Sequence, residues 1–145
     1  MSISVVGGPS SIREERQAIA DFLNQLPGMH GYRVWPDNIQ TPAGLVRPLR
    51  WVNVEMGPDA MPNRWYTVEI LISLGDNESA QDILDEYLEE FGPNSVRQAL
   101  TYNPTLSGAV DACIYHGWSD YGARKTESHV FIGAVITLEV YPREG

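Results

Sequence analysis

Apolar positions recur with two periods along this chain. Ala18, Ile19, Phe22, Leu23 and Leu26 stand three or four apart, the spacing of a helix with one buried stripe. Ser11 and Glu14 precede them in the arrangement where hydroxyl and carboxylate each satisfy an N–H at a helix start, and Pro27-Gly28 stops the run. This helix is expected to expose Arg13, Glu14, Arg16 and Gln17. A second stripe, Ala80, Ile83, Leu84, Tyr87, Leu88 and Phe91, follows Asp76-Asn77-Glu78, a cap residue and a carboxylate near the positive end of the dipole. It ends at Gly92-Pro93. Ser95 and Gln98 open a third, short helix carrying Val96, Ala99 and Leu100, closed by Asn103-Pro104.

Elsewhere the period is two. Tyr66, Val68, Ile70, Ile72 and Leu74 alternate with Thr67, Glu69, Leu71 and Ser73, so one face of that strand meets a core. Leu45 to Met56 reads as its partner, interrupted at Pro48, where an edge or bulge is favoured because proline cannot donate to a ladder. The loop from Gly57 to Asn63 joins them into a long hairpin. A second hairpin pairs a strand with Val110, Ala112, Ile114, His116 and Trp118 on one face with a strand carrying Val130, Ile132, Ala134, Ile136, Leu138 and Val140. The polar stretch Ser119 to Ser128 forms its long tip. Between Met29 and Thr41 turn formers dominate, with a short strand at Tyr32–Val34. The order is helix, two strands, two helices, two strands. Strand and helix do not alternate, which argues against a doubly wound nucleotide fold. The expectation is an α+β single domain over residues 1–145: an antiparallel sheet of about four strands in two hairpins, with the N-terminal helix and the central helix pair packed on one face.

Composition narrows the function. The 145 residues carry 19 acids and 10 bases, a net charge of -9. Each phosphate contact to nucleic acid needs a Lys or Arg, so this balance disfavours a gripping nucleic-acid binder. The acids are uneven: net -1 from Met1 to Ile72 and -8 from Ser73 to Gly145. The start has neither the basic nor the apolar segment of a signal peptide, and the apolar run Val130–Ile136 is too short to span a bilayer. A soluble protein of a reducing cytoplasm, without membrane association, is expected.

Candidate chemistry is sparse. Cys113 is the sole cysteine, which excludes an intrachain disulfide and a Cys-based zinc cage. It stands three residues from His116, and on one strand such positions face opposite ways, so the two form no dyad. His30, His116 and His129 lack metal-ligand spacing. The acids Asp82, Asp85, Glu86, Glu89 and Glu90 read as the solvated side of a helix, without an EF-hand pattern. No catalytic, cofactor or metal residue is assigned. What stands out is a set of large side chains at hairpin edges, the kind enriched at protein interfaces: Trp51, Met56, Met61, Arg64 and Trp65 in the first hairpin with Trp35 at its approach, and Asp120, Tyr121, Arg124 and Lys125 in the second. Core and interface both remain open for the tryptophans.

The segments Ser95–Leu100, Pro104–Asp111, Gly117–Gly122 and Phe131–Val140 resemble the tail terminator proteins of long-tailed (siphovirus-type) bacteriophages, nearest to those infecting actinobacteria; Leu26-Pro27-Gly28 after the first helix and the acidic helix after Gly75-Asp76 fit the same layout. The resemblance implies a virion protein, assembled in the host cytoplasm. It would form a homohexameric ring on the head-proximal end of the tail tube, end tube polymerisation, and join the tube protein to the head-tail connector or stopper. It brings no cofactor and no catalytic residue. DNA would pass through the lumen without specific binding, and acidic walls suit that passage because they repel phosphates. A sphere of this chain length has a radius of about 19 Å, and six in a ring leave a hole of about 38 Å, wide enough for a duplex. Two alternatives stay open: another tail or neck ring subunit, either tube or stopper, and a small metal-dependent enzyme using His116 or the acidic helix.

Overall fold

The computed structural model describes residues 9–49, 51–52, 63–74, 77–126 and 128–143, with 51, 52, 77 and 78 by backbone alone. The elements are α1 (Ile12–Asn24), β1 (His30–Tyr32), β2 (Ala43–Val46), β3 (Trp51–Val52), β4 (Arg64–Ser73), α2 (Asn77–Leu88), α3 (Val96–Tyr102), β5 (Ala112–Lys125) and β6 (Val130–Tyr141).

The α+β class holds, with the sheet wider than expected. Five strands form a row, β1-β2-β4-β6-β5, and the two-residue β3 pairs alongside β2 on β4. The sheet is mixed, because β1 runs parallel to β2. Pro48 explains the added piece. It divides the expected Leu45–Met56 strand into β2 and β3, yet both halves keep antiparallel register with β4, at Leu45↔Glu69 and Trp51↔Trp65. The short strand expected at Tyr32–Val34 begins two residues earlier, at His30.

All three helices pack on one face. Ile19, Phe22 and Leu23 of α1, Leu84 and Tyr87 of α2, and Val96 and Leu100 of α3 meet Tyr66, Val68 and Ile70 of β4 and Ala134, Ile136 and Leu138 of β6 in one core. Complete burial of such side chains contributes about 1.5–3 kcal/mol each, the dominant favourable contribution to folding. The opposite face has a smaller apolar cluster, Ala43, Leu45, Leu71 and Phe131, with Tyr32 and Ile39 against it. α1 begins with the expected capping box: the Glu14 amide donates to Ser11 Oγ at 3.0 Å and the Ser11 amide to Glu14 Oε1 at 3.1 Å. The glycine of β1 explains how closely α1 sits. A Cβ on Gly31 would collide with the Ala20 carbonyl oxygen, so only glycine lets this strand pass under the helix.

Two helix expectations need correction. α2 stops at Leu88 rather than carrying its stripe to Phe91. Gly92 takes φ +126°, and the Ser95 hydroxyl donates to the Glu89 carbonyl at 2.6 Å. The chain therefore turns away and leaves Phe91 exposed, with Ile83 at the margin. Arg16, expected in solvent, is half-buried. Its Nη2 donates to the carbonyls of Arg33 (2.7 Å) and Val46 (3.4 Å).

The second hairpin differs most. Its strands nearly meet: β5 continues to Lys125 and β6 starts at Val130, so Asp120, Tyr121, Arg124 and Lys125 lie in a strand and not in a loop tip. The face assignment of β5 is also reversed at its start. Cys113 is buried and Tyr115 packs against the core, while Ile114 and His116 point outward. Register then shifts between Tyr115 and Trp118, and again between Ser119 and Gly122. Gly117 at φ +101° and Asp120 at φ +56° occupy these bulges. Each extra residue inverts the alternation. Trp118 consequently pairs with core-facing Ile136, and Arg124 pairs with Phe131 on the helix-free face.

Candidate interaction surface

β5 is an edge strand. Fourteen residues long, it has β6 as its ladder partner among the described residues. The first bulge swings Trp118 to the helix side, where its ring lies 5.9 Å from that of Tyr121. The Tyr121 hydroxyl donates to Asp85 Oδ1 of α2 at 2.8 Å. Burial, that hydrogen bond and the charges of Asp85 and Asp82 push the phenol up to about 12. Between the end of α2 and β5 a cleft of about 350 Å³ opens, lined by Asp85, Leu88, Glu89, Glu90, Phe91 and Trp118. Phe91 is 77% exposed and Trp118 49%. Apolar walls under a rim of carboxylates make this an acidic, aromatic cleft.

The helix-free face of the sheet carries a different chemistry. Arg124 reaches over β6 to Glu69 on β4, Nε to Oε2 at 2.7 Å, and its other nitrogens donate to the Asp120 and Gly122 carbonyls. The Arg124 side chain passes over Gly133 of β6, where a Cβ would meet the Ile70 carbonyl oxygen at 2.6 Å and Leu71 Cδ2 at 2.9 Å. Arg124 thus holds the second bulge in shape. Nearby, Trp65 lies 4.6 Å from the His116 ring, and His116 Nε2 is 2.9 Å from Glu139 Oε1, which also accepts on Oε2 from Asn63 at 2.8 Å. Beside them is a cleft of about 460 Å³ lined by Arg47, Pro48, Thr67, Ser119, Asp120 and Val135.

The six candidate interface residues whose side chains are described do not form one patch. Tyr121 belongs to the acidic cleft. Lys125 is exposed at the end of β5, Asp120 is exposed in a bulge, and Trp65 lies on the helix-free face. Arg64 points inward: its Nη1 donates to Glu15 Oε2 at 3.0 Å and to the Ser10 carbonyl at 3.1 Å. The backbone of Trp51 pairs with Trp65, while its side chain, together with Met56 and Met61, lies outside the described residues. Phe91 and Trp118 were absent from the sequence-based set. Gly92-Pro93 and a glycine inside a strand, Gly117, were the signals that could have found them.

Cys113 is buried, and burial pushes its thiol up to about 12, so at neutral pH it is a packed thiol and not a thiolate nucleophile. His116 faces away from it, as the strand period requires. Among the described residues no group of three His, Cys, Asp or Glu side chains is placed to hold a metal, and no helix is long and apolar enough to cross a membrane. The chain matches no family model and no curated protein.

Proposed function

We propose that this chain is a structural subunit of a bacteriophage tail, a terminator that forms a homohexameric ring on the head-proximal end of the tube, stops its growth and joins it to the head connector. It works by self-association and stacking and transforms no substrate. The observation that carries the reading is the long edge strand β5, with one ladder partner among the described residues and with Ile114, Trp118 and Tyr121 exposed along it. A sheet edge flanked by large apolar side chains is a surface that associates unless covered, and a subunit that works inside an assembly has such edges to cover. The two bulges limit plain edge-to-edge pairing. Side chains, and not a continuous new ladder, then carry the contacts. The charge distribution agrees: the C-terminal half holds -8 of the -9, so a ring of such chains would repel a passing duplex and let it slide.

Electron microscopy of purified tails and native mass spectrometry of the pure protein test this reading. A ring at the tube end and a closed oligomer of defined number are expected. A strict monomer that never joins tails would overturn it.

A further inference from the structure

A second surface complements the acidic cleft in charge. At the ends of β1 and β2, Arg16 draws two carbonyls together, those of Arg33 and Val46. Arg33 and the exposed Arg47 adjoin these carbonyls, so three arginines collect at one corner of the sheet. Among the described residues none of the three has a carboxylate partner, and the buried Arg16 Nε has no hydrogen-bond partner. Immediately after Arg33 come Val34 and Trp35, 51% and 57% exposed. A chain of net charge -9 thus keeps three arginines together with no carboxylate within ion-pair distance among the described residues, and Trp35, two residues beyond Arg33, lines a cleft of about 280 Å³ with Asp37, Ile39, His129 and Phe131.

We infer that residues 33–35 of one copy seat in the α2–β5 cleft of the next copy: Trp35 enters between Phe91 and Trp118, and Arg33 and Arg47 meet Asp85, Glu89 and Glu90. Each surface supplies what the other lacks. The cleft is aromatic with an acidic rim, and the segment is aromatic with a basic base. Arg and Trp are the side chains that anchor interfaces when desolvated against carboxylates and rings. The α2–β5 cleft opens on the helix side of the sheet, whereas Trp35 and Arg47 line clefts of the helix-free face, with Phe131 and with Thr67 and Val135. The two patches are different surfaces, so the contact is heterologous and propagates head to tail. The choice of a second copy as occupant rests on the assembly reading above; the pairing of these two patches rests on their charge and exposure.

Cysteine cross-linking tests it. Trp35→Cys and Phe91→Cys would be made singly and together, with native Cys113 buried, and treated with a short thiol–thiol cross-linker. Each single variant should stay monomeric, an equal mixture of the two should yield one covalent dimer, and the double variant should give a ladder of multimers. A double variant that stops at the dimer would mean a two-fold contact and overturn the proposal. So would the absence of any ladder while rings still form on tails, a result that leaves the assembly reading standing. A ladder without incorporation into tails would sink that reading and keep this one. As a second arm, Arg33→Glu with Arg47→Glu should weaken self-association at least tenfold in sedimentation, and Glu89→Arg with Glu90→Arg on the partner copy should restore it. Retention of duplex DNA that disappears in the Arg33→Glu, Arg47→Glu protein, with sedimentation unchanged, would assign the corner to phosphates and refute the pairing. All these positions are on the surface, so unchanged melting temperatures verify folding.

Discussion

Glu15 is the most demanding residue in the molecule. It is fully buried, and its carboxylate accepts from the Tyr66 hydroxyl (2.7 Å), the Ser10 hydroxyl (2.7 Å) and Arg64 Nη1 (3.0 Å). Ser10 in turn accepts on its hydroxyl from the Arg143 amide at 2.8 Å, so the knot joins α1, β4 and the end of β6. Tyr66→Phe removes one donor from a buried charge and nothing else. A hydrogen bond to a charged group contributes about 1.5–3 kcal/mol. With an unfolding entropy of about 2.1 cal/mol/K per residue, 145 residues convert 1 kcal/mol to about 3 °C, so Tm should fall by roughly 5–10 °C. Glu15→Ala strands Tyr66, Ser10 and Arg64 together and should cost about 3–5 kcal/mol. Calorimetry and guanidinium unfolding at pH 7 read both. The phenol adds a pH signature: burial first, then the hydrogen bond to Glu15 and its charge, push Tyr66 well above its ordinary range. In the unfolded chain it ionises near pH 10, while the folded chain keeps its proton. The stability is therefore complete below pH 10 and declines above it, by up to about 1.4 kcal/mol per pH unit. Tyr66→Phe should flatten that decline. A loss under about 0.5 kcal/mol with an unchanged alkaline slope would refute the view that this network ties Ser10 and Arg143 to α1 and β4.

Cys113 gives a second alkaline effect: its unfolded thiol ionises near 8.5 and its folded one near 12, so stability present below pH 8.5 is lost as pH rises towards 12, and Cys113→Ala should remove that portion of the slope in pH-dependent unfolding. Gly133→Ala places a Cβ 2.6 Å from the Ile70 carbonyl oxygen and 2.9 Å from Leu71 Cδ2; it should destabilise by on the order of 1–3 kcal/mol in denaturant titration. Arg124→Ala leaves Glu69 without its partner and frees the second bulge; a loss of about 1–3 kcal/mol is expected, with faster hydrogen exchange over 118–125. Trp118→Ala should leave Tm within about 2 °C, since half of the side chain is already in solvent, yet abolish incorporation into tails.

Three helices, the β4 and β6 strands and the one-sided core were legible in the chain because each rests on a local rule. Ser11 and Glu14 cap a helix whatever lies above it, and the alternation in 66–74 and 130–140 survives because both strands are central, with partners on each side. β5 was misread because its alternation is broken twice by bulges, and a bulge conforms to no period: Gly117 and Asp120 adopt positive φ only in the context of β6 and α2. The expected tip was polar for a different reason. Its residues face an edge, a bulge and a partly buried ion pair, and those environments look alike in composition.

The sequence alone determined the fold class, the sidedness of the sheet, the acidic bias of the C-terminal half and the inert placement of Cys113 relative to His116, all of which follow from spacing and charge within single elements. Tertiary structure alone decided that Glu15 is buried while Phe91 is bare, that Arg64 turns inward and Arg124 braces a bulge, and that Arg16, Arg33 and Arg47 share one corner with no carboxylate partner among the described residues. Those outcomes depend on meetings between residues 17 to 55 positions apart, and no local period records such a meeting.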